Sequence, residues 1–258
     1  MEQANGMPIA FYIRRFDPAV DDEPRIQKYL LRVEKGMTVL DCLHRIKEEQ
    51  DPTLAFRFSC RMGVCGSCAM LINGRPTLAC NTQTLDVTDA ALTVAALPNF
   101  SIIRDLVPDL LPMFEVHRSL NPYIVRKDAE EMAAPSAEYF QSPHQLEAFL
   151  QFTYCIKCGA CMAACPTMAT DRRYPGPMPL TQVYRYNTDS RDDGDGKRKD
   201  RIAERQGVFG CHYAGECSRV CPKGVDPARA IQLLKRDLVR DWLGLGKRRA
   251  CAQTHPLP

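Results

Sequence analysis

Cys60, Cys65, Cys68 and Cys80 stand at the spacing C-x4-C-x2-C-x11-C, in the context SCRMGVCGSCAML. Thiolates are soft ligands for iron, and this is the plant-type 2Fe-2S pattern. A loop wraps the cluster with three thiolates and a distant fourth arrives from a neighbouring strand. Gly63 and Gly66 permit a backbone in which amides turn inward and donate to the cluster sulfurs, which favours the reduced state. The competing chemistry is a four-cysteine zinc site, which usually shows two C-x2-4-C knuckles where this stretch has one.

A second set, Cys155, Cys158, Cys161 and Cys165-Pro166, has the spacing C-x2-C-x2-C-x3-C-P. One thiolate every three residues is too dense for a closed zinc tetrahedron and suits three corners of a cubane. In two-cluster ferredoxins the fourth cysteine of each run ligates the other cluster, so a second run must exist. Cys211, Ala214, Cys217 and Cys221-Pro222 supply it, with alanine where the second cysteine would stand. The swap assigns Cys155, Cys158, Cys161 and Cys221 to a 4Fe-4S cluster. Cys165, Cys211 and Cys217 fall to the other cluster, and Ala214 offers no atom to a fourth iron. That predicts 3Fe-4S, the alternative being a 4Fe-4S cluster whose labile iron binds water. His212 adjoins a ligand and reads as hydrogen-bonded near the cluster rather than coordinating.

These sets take eleven of 13 cysteines in 258 residues. Tight clustering, an odd total and no apolar signal core in residues 1–20 predict a reducing compartment and metal ligation, not a disulfide scaffold. Cys42 and Cys251 read as a buried thiol and a tail thiol. The net charge is only +3, too small for nucleic acid as the main partner. Residues 222–258 carry 8 basic and 3 acidic residues, so the positive excess lies at the C-terminus. No stretch approaches the ~20 apolar residues of a bilayer-spanning helix. G-x-G-x-x-G after a strand and the phosphate-binding G-x-x-x-x-G-K-S/T are both missing, so no motif here binds flavin, nicotinamide or nucleotide. Three redox centres without an evident substrate site make a wire whose donor and acceptor lie on other subunits.

The elements that must position the cysteines change character near residue 100. Before it, Ile9, Phe11 and Ile13 alternate with other residues, as do Tyr29, Leu31 and Val33, predicting an antiparallel strand pair. Thr38 with Asp41 caps a helix that buries Val39, Leu43 and Ile46 and stops at Asp51-Pro52. Residues 69–72 and 76–79 flank the hairpin dipeptide Asn73-Gly74. Two strand pairs and one helix predict a β-grasp-like sheet. After it, prolines punctuate short apolar helical segments. The fold class is therefore α+β, with a 2Fe-2S domain over 1–104 and a helical domain for the other two clusters over 105–258. Ser142-Pro143-His144-Gln145 is a capping box opening a helix through Leu146, Phe149 and Leu150 that delivers Cys155. Asp226-Pro227 starts another, to about Trp242. Asp189 to Arg205, mostly charged with two glycines, reads as a solvated surface segment.

With these motifs in hand, the sequence resembles the iron-sulfur subunit of the succinate dehydrogenase / fumarate reductase family over essentially its whole length. SCRMGVCGSCAM, CIKCGACMAACP, RYNTDSRD and CHYAGECSRVCPKGVDP carry the resemblance, in the family's order. It implies a β-grasp plant-type ferredoxin domain followed by a helical bacterial-type, two-cluster one. It implies a place between a flavin (FAD) catalytic subunit, where succinate and fumarate interconvert, and a cytochrome b type membrane anchor with a quinone site and haem b. Electrons would pass along 2Fe-2S, 4Fe-4S and 3Fe-4S, the last nearest the quinone. The chain would then be peripheral, held by its partners on the cytoplasmic face of the inner membrane. The basic C-terminus suits such a face, at about 1 kcal/mol per Lys or Arg near anionic headgroups. Gln232, Lys235 and His212 match quinone-proximal positions, the first two reading otherwise as a solvated helix face. Thr167 and Met168 stand where succinate dehydrogenases tend to carry tryptophans, which with the CSRVCPK run points to a menaquinol-linked fumarate reductase. Two other assignments use the same motifs: a relay for a soluble or thiol-linked flavin oxidoreductase, and structural clusters in a binding protein.

Overall fold

The computed structural model describes residues 6–245 and the strand Thr254–Pro256; Cys251 and the basic residues 247–249 lie outside the described residues. The chain forms two compact units. One comprises Met1–Leu110, Ile156–Ala164 and Val220–Pro222, and the other Leu111–Cys155, Cys165–Arg219 and Lys223–Pro258. The units thus cross the linear division at 104, because the two short stretches carrying Cys158, Cys161 and Cys221 pack with the N-terminal unit.

The first unit is built on a five-stranded mixed sheet in the order β2-β1-β5-β3-β4. Its strands are β1 (Met7–Arg15), β2 (Arg25–Val33), β3 (Ala69–Ile72), β4 (Arg75–Leu78) and β5 (Ala91–Ala95). The alternation in the first two strands is realised: Ile9 pairs with Leu31 and Phe11 with Tyr29, all buried. Asn73 and Gly74 both take positive φ, as a two-residue type I′ hairpin requires. Pro76, which has no amide to donate, lies on the edge strand β4. β5 was not anticipated. It runs parallel to β1 and antiparallel to β3, and joins the two predicted pairs into one sheet. Only Leu92 and Val94 mark its buried face, too short an alternation to stand out.

Helix α1 (Val39–Glu49) carries the expected capping box between Thr38 and Asp41. Its buried face includes Cys42, whose Sγ lies 3.3 Å from Thr84 Oγ1; burial pushes this thiol up to about 11, as suits a packing residue. Asp51 does more than stop the helix. It accepts from the Tyr29 hydroxyl at 2.6 Å and pairs with the buried Arg15, which also donates to Asp105 at 2.8 Å and Thr53 at 3.0 Å. Asp105 in turn accepts from the amides of Phe16 and Ala55. Burial alone would raise the Asp51 carboxyl, but Thr53, Tyr29 and Arg15 outweigh it and hold the group far below the usual range.

The second unit is mainly helical; against an all-helical expectation, it also pairs the short strands Ala137–Tyr139 and Thr254–Pro256, whose three-residue lengths leave no alternation to read. The helix Pro227–Trp242, opened by Asp226 accepting from the Arg229 amide, packs on Pro177–Thr188, which packs on Pro143–Thr153. The Ser142–Gln145 capping box opens Pro143–Thr153 as expected.

The segment from Asp189 to Arg205 overturns its reading as solvated surface. Asp189 and Arg198 are fully buried and Asp192 nearly so, and residues Asp195–Ile202 form a helix. The Arg198 guanidinium donates to both Asp192 carboxylate oxygens, at 2.6 and 2.8 Å, and to the carbonyls of Asn121 and Tyr123. Asp192 also accepts from the amides of Val125 and Gly194. Charge here is internal wiring that pins the loop 121–125, because each buried charge has a partner and further hydrogen bonds. Arg198→Met leaves Asp192 buried and unpaired, so we expect a loss of about 3–5 kcal/mol in denaturant unfolding. A change under about 1 kcal/mol would show that the pair is dispensable.

Candidate iron-sulfur centres

The loop bearing Cys60, Cys65 and Cys68 aims amides at sulfur. The Val64 and Cys65 amides donate to Cys60 Sγ at 3.3 and 3.2 Å, and the Gly63 amide donates to Cys80 Sγ at 3.3 Å. The Cys80 amide donates to Cys68 Sγ at 3.5 Å. Positive φ at Arg61, Gly63 and Gly66 turns the chain into this shape. Cys80 arrives just past β4, the distant strand foreseen for the fourth ligand. Cys65 is exposed and its thiol is pulled down to about 6, chiefly by Ser67, so it is a ready thiolate at neutral pH. Burial instead pushes Cys68 up to about 12, so iron must drive off that proton.

Gly66 serves a different end from Gly63. A Cβ at Gly66 would stand 2.8 Å from Cys158 Cβ and 3.0 Å from its Cα, so the loop's backbone lies directly on the residue of the second set. Nearby, Asn99 donates from Nδ2 to the carbonyls of Met162 and Ala163, closing the short helix Ala160–Ala163 that carries Cys161. Sequence reasoning passed over Asn99, since its partners lie more than sixty residues away.

The two remaining runs share one backbone form. In the first, Lys157 (φ 56°) precedes Cys158 and Gly159 (φ 83°) follows it. In the second, Tyr213 (φ 60°) precedes Ala214 and Gly215 (φ 77°) follows it. A left-handed residue on each side of the middle position is costly outside glycine, and its recurrence at a lysine and a tyrosine marks a repeated ligand turn. Ala214 therefore occupies the backbone position of Cys158 without its sulfur.

Within the second unit, Cys165, Cys211, Cys217 and Ala214 line one small cavity, walled by Pro166, Pro177, Ala228 and Ile231 and lipped by the exposed His212 and Tyr213. Three thiols in an apolar recess, with a methyl at the fourth position, fit a cluster with three protein ligands. The Tyr213 amide donates to Cys211 Sγ at 3.4 Å, and burial pushes the Cys217 thiol up to about 11. Lys235, read as a solvated or quinone-side residue, donates from Nζ to the Cys211 carbonyl at 2.8 Å and so braces the ligand turn. Gln232 is half-buried with its Nε2 unpartnered. Tyr174, which sequence reasoning did not single out, is buried on the same cavity.

Two cysteine-bearing modules in one chain, the first with several amides aimed at sulfur and the second with a repeated left-handed turn around its runs, define an iron-sulfur electron-transfer protein. Residues 10–115 match a 2Fe-2S iron-sulfur cluster binding domain, and residues 151–225 a 4Fe-4S dicluster domain. The fumarate reductase iron-sulfur subunit of Mycobacterium tuberculosis is 44% identical over 88% of this chain and 91% of its own length. The succinate dehydrogenase iron-sulfur subunit of Paracoccus denitrificans is 39% identical over 89% and 87%. A chain of the Mycobacterium smegmatis Sdh1 complex superposes with a TM-score of 0.82 at 27% identity, covering 92% of this chain and 97% of that one. The chain belongs to the family of iron-sulfur subunits of fumarate reductases and succinate dehydrogenases. It is an electron-transfer component of an oxidoreductase complex, and the 2Fe-2S reading of the first loop stands over zinc. Among the described residues no helix is long and apolar enough to cross a membrane.

Gly66 and Gly215 share φ +77°, but nothing lies within 4 Å of a Cβ at Gly215. Gly215→Ala should then cost only the left-handed strain, about 1–2 kcal/mol. Gly66→Ala adds a clash with Cys158 and should lower iron content in the purified protein well below that of Gly215→Ala. Equal iron retention in the two variants would refute the close approach.

Proposed function

We propose that this chain carries electrons between a flavoprotein subunit that interconverts succinate and fumarate and a quinone site on a membrane anchor with haem b. The 2Fe-2S module occupies residues 1–104 and the helical module 105–258. Cys60, Cys65, Cys68 and Cys80 hold a 2Fe-2S cluster, and Cys155, Cys158, Cys161 and Cys221 hold a 4Fe-4S cluster. Cys165, Cys211 and Cys217 hold a 3Fe-4S cluster on the quinone side, with His212, Gln232 and Lys235 nearby. The clusters supply one-electron steps; the chain's own part is to hold them, keep water out and set their potentials. The observation that carries this reading is the cavity in which three cysteines and Ala214 meet. Thr167, on the same cavity, and Met168 stand where succinate dehydrogenases tend to carry tryptophans and lean the reading toward a menaquinol-linked fumarate reductase, while the direction of electron flow is set by the potentials of the centres. The chain sits at the cytoplasmic face of the inner membrane through its partners. Family membership leaves the soluble, thiol-linked alternative without support.

Low-temperature EPR on the anaerobic complex, with iron and sulfide counts, tests the assignment. About nine irons should belong to this chain, with an oxidised-state signal from the three-iron centre. About ten irons without that signal would overturn it. In Ala214→Cys a thiol enters the cavity at the backbone position equivalent to Cys158, so the oxidised-state signal should fall and a four-iron, reduced-state signal rise. An unchanged spectrum would refute the ligand swap at position 214.

A further inference from the structure

Tyr174 lies in the turn between the helices Pro166–Thr170 and Pro177–Thr188, and only 2% of it is exposed. Its amide donates to the Asp171 carbonyl, and Pro175 after it narrows its backbone freedom. The ring is held from the far side by Gly210, where a Cβ would come within 3.2 Å of Tyr174 Cδ2. A side chain at 210, one residue before Cys211, would push the ring off this position.

The buried hydroxyl has no hydrogen-bond partner in the protein. Leaving such a group unsatisfied costs about 1–3 kcal/mol, and a phenylalanine of the same shape would avoid that cost. Tyr174 lines the same cavity as Cys165, Cys211 and Cys217. Thr167, His212 and Glu216 also line the cavity, but the surface they leave open to it is almost wholly apolar, so a water there would lack the two to four polar partners that hold buried water in place. The acceptors this donor faces are sulfurs.

We propose that the Tyr174 hydroxyl donates a hydrogen bond to a sulfur of the cluster held by Cys165, Cys211 and Cys217, and through it raises that cluster's potential. The proposal rests on the three-thiolate cluster assigned above. Reduction adds one electron to the cluster and no proton moves: ionising a phenol buried this deeply would leave an unpaired anion in an apolar recess, so it keeps its hydrogen. Added negative charge in an apolar recess strengthens a fixed O–H donor, so the reduced state gains more than the oxidised one. The residue sets a potential and takes no part in bond making.

The test is a redox titration followed by EPR on the assembled complex, wild type against Tyr174→Phe. The expected result is an unchanged amount of three-iron signal with its midpoint lowered. A shift on the order of tenfold in the reduced-to-oxidised ratio at fixed potential corresponds to about 59 mV for one electron. Full signal with an unmoved midpoint would overturn the proposal and leave Tyr174 as packing. Should Tyr174→Phe lose the cluster, placing a difluorotyrosine at 174 keeps the shape and strengthens the donor. The midpoint must then rise, and an unmoved midpoint again overturns the proposal. Wild-type protein with a four-iron, reduced-state signal at this site would sink the three-iron reading alone. The same comparison of midpoints, followed on that signal, would still decide the role of Tyr174.

Discussion

Thiolate sulfurs that take up further negative charge inside a protein must be met by hydrogen-bond donors, chiefly backbone N–H groups, because low-dielectric surroundings offer little else to stabilise them. A helix or strand spends its amides on its own ladder, so the chain presents sulfur from irregular loops or from helices of a single turn, as at Cys161 and Cys217. That constraint accounts for the left-handed residues grouped around the cysteines, at Arg61, Gly63 and Gly66 in one loop and at the Lys157/Gly159 and Tyr213/Gly215 pairs in the others. Each non-glycine case stores about 1–2 kcal/mol of strain that the surrounding packing must hold in place. The scaffold supplies it: Asn99 closes the helix Ala160–Ala163 after one turn, and Lys235 braces the carbonyl of Cys211 from the long terminal helix.

Buried charge plays the matching role away from the clusters. Arg15 ties Asp51, after the first helix, to Asp105, at the end of the N-terminal unit. Arg198 ties Asp192 to the carbonyls of Asn121 and Tyr123. Both arginines stitch irregular segments that have no sheet or helix to satisfy their backbone groups. Irregular chain is needed to carry thiolates and connect modules, and multi-donor guanidinium groups are a compact way to stabilise it.

What could be read in the sequence follows from how local each signal is. The Thr38 and Ser142 capping boxes, the Asp226-Pro227 start and the Asn73-Gly74 turn each involve residues within a few positions, and each is realised in the fold. The failures are long-range. A charged run from Asp189 to Arg205 has the composition of a solvated surface, and it takes carbonyls some seventy residues away, besides the nearby Asp192, to turn Arg198 inward. β5 has two core residues of its own and owes its existence to the strands on either side. Tyr174 carries no motif at all; what distinguishes it is an unpaired hydroxyl, which a sequence does not display.

The repeated turn also locates the difference between the two cluster sites of the helical module. If position 214 were closed to a ligand by its backbone, the second run would have drifted from the first. It has not: the residues before and after Ala214 keep the left-handed values found around Cys158, and Gly215 has open space where a Cβ would go. The backbone still holds the shape of a four-cysteine run, including strain at Tyr213 that an unliganded loop would have no reason to retain. That strain is accounted for by the neighbour, because the same turn points the Tyr213 amide at Cys211 Sγ. Donor geometry and side-chain identity are therefore separable in this fold: the turn serves the Cys211 sulfur, and whether position 214 offers a further sulfur is decided by one side chain.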